Sequence, residues 1–289
     1  MVFVLIFFLL DASFYYVIKN IPAKQPDQRL VSLIQGKINA DILVLGSSRA
    51  AHNILAEDIE KHTHSKTFNL GFRKTNVEFH LNLLRLYLSK NKKPKQLIYL
   101  ADVPFMFDEK ALVFRTDVFL PFVYYPEYKN LLIDKGELSK MAYFLNLARF
   151  SFHTATKLPA VSIENFTTLQ GSNPLPLENY KGVGDHFVAN KKAVISYRLI
   201  REFKELQKLC LAHQIEFYLV VPPNNQPLDK EFIKYIQSDL FSTSKYYLYQ
   251  LNYSTIDNCY FYDESHLNKN GATVFTGELS EFLNQKSRK

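Results

Sequence analysis

The 289-residue sequence contains no tryptophan, two cysteines and no long basic stripe. Each shortage removes a class of explanation. Cys210 and Cys259 have no histidine cluster around them at metal-ligand spacing, so no metal site is expected. Cys210 falls in an apolar helical pattern and Cys259 just before a strand-like run, and both read as small buried hydrophobes. A disulfide between them cannot be deduced from sequence. The formal net charge is +7, but the lysines come in short clusters such as Lys90, Lys92, Lys93 and Lys95. No nucleic-acid motif accompanies them, so nucleic acid is not an expected partner. The charge suits an anionic cell surface or membrane better.

What is present supports a real core. The hydrophobic fraction is 47%, and 18 Tyr and 24 Phe point to extensive aromatic packing. The length fits one large or two small domains. The organising stretch is Asp41 to Ala50. The unbroken apolar run Ile42 to Leu45 reads as a parallel strand buried on both faces. Gly46 permits a sharp turn, and Ser47 or Ser48 caps the helix that follows. A serine there stands at the carboxyl end of a strand, where open α/β sheets place their ligands, and faces helix-terminal N–H groups. The plain alternative is a helix cap and nothing more.

Residues 1–18 form an apolar segment interrupted by Asp11, just long enough to cross a bilayer. No small-residue cleavage site follows, so an uncleaved membrane anchor is expected rather than a cleaved signal. Lys19 and Lys24 follow the segment and no basic residue precedes it. Taken literally that places the body of the protein in the cytoplasm; either the true start lies upstream or the rule fails here. Asp11 is costly in lipid unless it faces a partner helix. Residues 19–30 read as a linker, and 31–289 as the main domain.

Within that domain the pattern predicts a short element at Val31–Ile38, a helix from Gly46 to about Lys61, a strand at Thr67–Leu70, an amphipathic helix at Val77–Leu88 and a strand at Gln96–Ala101. The β-α-β-α-β order argues for a parallel sheet with helices on both faces. Residues 105–190 break the rhythm with an aromatic, turn-rich insertion, including a helical piece from Leu138 to Phe152 and a loop from Gln170 to Asp185. This reads as a lid beside the strand ends or as a plain structural subdomain. Regularity returns with a helix over Lys191–His213, a strand over Ile215–Val221, a helix over Phe232–Leu240, a short strand at Tyr260–Tyr262 and a last helix over Lys269–Leu283.

Asp263 and His266 lie three residues apart in the loop before that last helix, close enough for carboxylate and imidazole to meet. A serine nucleophile needs a base, and the base an orienting acid. Gly46-Ser47-Ser48, Asn69-Leu70-Gly71 and Asp263-Glu264-Ser265-His266-Leu267-Asn268 together resemble the SGNH/GDSL hydrolase superfamily. The resemblance, which covers the sheet and its flanking helices but not the 105–190 insertion after the third strand, implies a three-layer α/β/α sandwich with a central parallel, flavodoxin-like sheet. It also implies Ser48 as nucleophile, His266 as base and Asp263 as its orienting acid, with the amides of Ser48 and Gly71 forming an oxyanion hole. Ser47 stands where the family usually has aspartate. The family's asparagine block after the third strand does not match either: Ala101-Asp102-Val103-Pro104 stands there. Either another donor serves, from Asn224, Asn225 or Arg49, or the protein is a weak or inactive relative; an ionised Asp102 nearby would disfavour an oxyanion, and its plain role is to cap the turn. No cofactor is implied.

An N-terminal anchor before such a domain is similar to cell-envelope proteins of the alginate O-acetyltransferase and lipoteichoic-acid D-alanylation kinds. That narrower likeness implies an extracytoplasmic domain, a surface polysaccharide or envelope polymer as substrate, and a membrane-bound O-acyltransferase as partner. Two other classes stay open: a non-catalytic glycan-binding module, motivated by the missing asparagine, and a scaffold subunit of an acyltransferase complex, motivated by Asp11.

Overall fold

The structure, a computed structural model, describes residues 2–149, 168–177, 193–224, 230–239, 245–248 and 258–287. The chain divides into two compact units, Met1–Lys37 with Arg115–Asn165, and Ile38–Phe114 with Phe166–Lys289.

The second unit is an α/β/α sandwich. Its strands β1 (Ile42–Leu45), β2 (Thr67–Asn69), β3 (Gln96–Leu100), β4 (Glu216–Val221) and β5 (Lys245–Leu248) form a parallel sheet in the order β2-β1-β3-β4-β5. Every residue of β1 is buried, as a strand covered on both faces requires. Ile42 and Val44 face a core shared with Ile98, Tyr218 and the helices α3 (Ser48–Asn53), α4 (Ala56–Thr63) and α9 (Lys269–Ser287). On the opposite face lie α5 (Val77–Lys90) and α7 (Tyr197–Ala212), where Tyr99 packs edge-on against Phe203, which in turn meets Phe217. Chain leaves β1 toward β2 on one side and returns across it to β3 on the other. With right-handed crossovers this puts the two helix groups on opposite faces and opens a crevice at the carboxyl ends of β1 and β3.

Several local expectations change. Tyr260–Tyr262 is not a strand: Asn258–Tyr260 is a 3-10 turn, and Phe261 makes a single antiparallel bridge to Leu267. The fifth strand is Lys245–Leu248, four residues whose pairing with Tyr218–Val221 decides its conformation. So short an edge segment carries too little pattern to stand out in sequence. The helix after Gly46 is two helices, α3 and α4, with extended backbone at Ile54 and Leu55 between them. The helix expected over Lys191–His213 is Tyr197–Ala212 among the described residues, and α8 runs Lys230–Asp239. Cys210 is buried, Cys259 is partly buried, and the two are not joined.

The first unit holds α1 (Val2–Asn20), α2 (Arg29–Ile34) and α6 (Pro126–Asp134) with several 3-10 turns. The stretch expected as a linker is folded: Pro22–Lys24 is a 3-10 turn, and Arg29 and Leu30 are buried, the guanidinium paired with Asp27 at 2.7 Å. Tyr128 stacks on Phe119 at 5.3 Å between ring centres and donates its hydroxyl to the Leu30 carbonyl at 2.7 Å. So residues 115–149 of the insertion share a core with the N-terminal segment. The helix expected from Leu138 is two 3-10 turns, Lys140–Tyr143 and Leu147–Arg149, and the rest of that piece lies outside the described residues.

Candidate active site

Gly46 makes the turn that sets the site. Its φ of +146° is one that side-chain-bearing residues rarely adopt, and a Cβ there would lie 2.9 Å from Ala50 Cβ and 3.0 Å from the Leu100 carbonyl oxygen. The chain can therefore double back at once from β1 into α3. Ser47 takes the N-cap position but makes no side-chain cap. Ser48 is the first helical residue.

Ser48 Oγ lies 2.7 Å from His266 Nε2. On the far side of the ring, Nδ1 is 2.8 Å from Asp263 Oδ2 and 3.0 Å from Oδ1. Asp263 Oδ1 also accepts the backbone N–H groups of Ser265 and His266, each at 2.8 Å. Burial pushes the Asp263 carboxyl up, but the hydrogen bond and charge of His266 and these two amides outweigh it and hold the group well below the usual carboxylate range. The consistent assignment is an Nδ1–H that donates to the carboxylate and an Nε2 lone pair that receives the Ser48 hydroxyl proton.

One short helix spaces the partners. α3 carries Ser48 at its start and Asn53 at its end, and Asn53 Oδ1 accepts the Leu267 N–H at 3.0 Å. Asn268 N–H donates to the Tyr260 carbonyl at 3.0 Å, closing the base of the histidine loop. Residues 170–175 strap the other side: Asn173 N–H donates to Ala51 O at 2.8 Å, Ser172 Oγ accepts from Ala56 N–H at 2.8 Å, and Leu175 bridges to Asn268. His52, one turn after Ser48, was not singled out from sequence. Its ring meets His266 edge to face, with centres 5.5 Å apart, while its Nδ1 bonds the Asn173 carbonyl. The i,i+4 spacing from Ser48 was the available signal.

The other expected site residues differ in placement. Arg49 is buried; its Nη2 donates to Asn224 Oδ1 at 2.9 Å and its Nε lies 3.8 Å from Asp102 Oδ1. Burial raises the Asp102 carboxyl against the opposing pull of Arg49. Asn225 lies outside the described residues. Gly71 is where the expectation needs correcting. Its amide donates to Asn69 Oδ1 at 2.8 Å rather than standing ready for an oxyanion. The Asn69 amide in turn donates to the carbonyls of Ala50 at 2.7 Å and Ile54 at 3.0 Å, groups left over at the end of α3. Gly71 is needed for another reason: a Cβ would sit 2.5 Å from Ala51 N. The Asn-Leu-Gly block thus seats α3 on β2. No group of His, Cys, Asp and Glu among the described residues could hold a metal ion.

No family model and no curated protein matches the chain. Among solved structures it is similar to a Bacteroides fragilis NCTC 9343 protein described as a "putative acylhydrolase", with 11% identity and a TM-score of 0.42, over 90% of this chain and 94% of that one. At that score the likeness carries no inference about chemistry, which rests on the site itself.

Proposed function

We propose that the protein performs serine-dependent acyl transfer or ester hydrolysis. The observation that carries this is the unbroken line of hydrogen bonds from Ser48 Oγ through His266 to Asp263. In the proposed reaction His266 Nε2 takes the hydroxyl proton as Ser48 Oγ attacks the acyl carbon. Asp263 stabilises the imidazolium and keeps the ring in register. The imidazolium then protonates the leaving alkoxide, leaving an acyl-serine. Water or an acceptor hydroxyl, deprotonated by the same imidazole, releases the acyl group and restores the serine. The Ser48 amide, at the first turn of α3 and so without an intrahelical acceptor, is the oxyanion donor this reading retains.

The acceptor we favour is a hydroxyl of a surface polysaccharide or related envelope polymer, on the resemblance of the motifs alone, with an extracytoplasmic domain and a membrane-bound O-acyltransferase as partner. The stretch Val2–Lys24, which contains α1, supports the anchor: it is long and apolar enough to cross a membrane, and in α1 only Asp11 and Ile18 are buried, unlike a soluble core helix. A second reading, a glycan-binding module without turnover, draws on the engaged Gly71 amide and the Asp102 carboxylate beside the nucleophile turn. The scaffold reading loses its motive, because Asp11 is hydrogen-bonded to Asn146 and Leu147 of its own unit. The deciding experiment is turnover of p-nitrophenyl acetate by the full chain in detergent, beside Ser48→Ala and His266→Ala, together with labelling of Ser48 by a fluorophosphonate. Labelling and turnover lost in both variants support the enzyme. Turnover that survives both substitutions removes the triad.

A further inference from the structure

α1 has two unlike halves. From Val2 to Leu10 every residue is exposed, on all sides of the helix. From Asp11 onward one stripe is covered: Asp11 and Ile18 are buried and Phe14 partly so, at the spacing of a single helix face. The nine residues before Asp11 rise about 14 Å, close to half of a hydrocarbon core of about 30 Å. Asp11 marks the border. Its Oδ1 accepts the Leu147 N–H at 2.8 Å and its Oδ2 the Asn146 side-chain amide at 3.0 Å. These bonds pin the 140–147 turn to the helix at the level where the uncovered half begins.

That turn is itself apolar on the outside. Phe144 is 81% exposed, Met141 54% and Leu147 40%, three large apolar side chains within seven residues and continuous with the bare helix through the Asp11 contacts. With Tyr143 also exposed, such a contiguous apolar patch marks an interaction surface. Its backbone is prepared for a dry environment: Ala142 N–H donates to Ser139 O at 3.0 Å, Phe144 N–H to Met141 O at 3.0 Å and Leu145 N–H to Met141 O at 2.9 Å. Aromatic and cationic groups flank it, as at a membrane–water boundary. Tyr15 and Tyr16 follow Asp11 by one turn, and Lys129 Nζ lies 5.5 Å from the Tyr143 ring centre.

Building on the proposed anchor, we propose that the 140–147 turn is a second membrane element, entering the acyl-chain region on the Asp11 side of the bilayer through Met141, Phe144 and Leu147. Asp11 then serves as the peg that holds the turn on the helix. Because the chain has no tryptophan, a single introduced one reports without background. The full chains carrying Phe144→Trp, Phe8→Trp or Tyr197→Trp are reconstituted in phosphatidylcholine–phosphatidylglycerol vesicles with doxyl-labelled lipids. The proposal expects Phe144→Trp to emit at shorter wavelength than Tyr197→Trp, to be quenched by shallow doxyl groups, and to be several-fold less sensitive to iodide. If Phe8→Trp is quenched by lipid but Phe144→Trp responds to iodide like Tyr197→Trp, the turn stays in water and the proposal is overturned while the anchor stands. If Phe144→Trp is shielded from both quenchers, protein covers the turn and the lipid contact is wrong. If Phe8→Trp is itself open to iodide, the anchor reading fails and this proposal with it.

Discussion

His80 and His266 each hold a hydrogen-bonding partner on either side of the ring, and they stand in opposite surroundings. His80 lies under the helix face of the sheet that carries α5, wholly buried between Thr75 Oγ1 at 2.8 Å and the Tyr99 hydroxyl at 2.9 Å. Burial pushes its pKa down to about 3, so the ring is neutral and serves as a polar clamp between α5 and β3. His266 is 21% exposed, with a carboxylate on one nitrogen and a hydroxyl on the other. The difference teaches what a proton relay requires. Both rings are oriented by two bonds, but only His266 stands beside a carboxylate and a serine hydroxyl and reaches solvent.

The comparison can be broken or sharpened by substitution. The largest effect is expected at the reacting pair: Ser48→Ala and His266→Ala should each lower kcat for p-nitrophenyl acetate by about 10³-fold or more, with circular dichroism unchanged. In the same assay His80→Gln should leave kcat near that of the parent. A comparable loss of kcat in His80→Gln would erase the distinction drawn between the two rings. Asp263→Asn should follow, at about 10²- to 10⁴-fold, because an amide cannot stabilise the imidazolium and leaves the Nδ1 tautomer undirected.

The next effect is on stability. His80 binds a proton in the unfolded chain below pH 6.5 but in the folded one only near pH 3, so its contribution is complete above pH 6.5 and falls away with acidification. Between pH 6.5 and 4 the loss should reach about 3 kcal/mol, read as the difference in urea midpoints between the parent and His80→Gln. The depressed Asp263 carboxyl acts in the same direction, but only as pH falls below its ordinary value of 3.8, which keeps the two windows apart. A parent whose urea midpoint tracks that of His80→Gln from pH 6.5 to 4 would show that His80 is not the buried neutral group described.

The smallest effect concerns His52. An edge-to-face pair of this kind contributes about 0.5–1.5 kcal/mol, so His52→Ala should lower kcat about 3- to 10-fold and His52→Phe should recover most of it. A positioning role also predicts that the acid limb of the pH–rate profile moves in His52→Ala and returns in His52→Phe. A profile that does not move would reduce His52 to core packing.

Much of the frame was legible because it rests on local pattern. Ile42 to Leu45 has no polar residue, and such a run is stable only when covered on both faces. Gly46 was readable as a turn because the bend that follows excludes a side chain. The Asp263–His266 spacing was readable because three residues of loop suffice to close a carboxylate onto an imidazole. Other features had no local signature. β5 owes its conformation to a neighbour some thirty residues away in the chain, and Tyr260 to Tyr262, rich in strand-favouring aromatics, was diverted into a turn by the bridge from Phe261 to Leu267. The Gly71 amide has no acceptor predictable from pattern; the turn supplies one in Asn69 Oδ1, two residues before it.

By itself, then, the sequence determined the alternation of strands and helices, the turn at Gly46, and the supply of a serine, a histidine and an aspartate at loop positions. Hydrophobic periodicity and backbone sterics act over a few residues and leave their mark wherever they act. Only the tertiary structure decided that Ser48 and His266, 218 positions apart, come within hydrogen-bonding distance, and that Asp11 is met by Asn146 and Leu147. Those are meetings of side chains across a fold. Their energy comes from burial and fixed orientation, which no stretch of chain possesses until the sheet and its helices have closed around it.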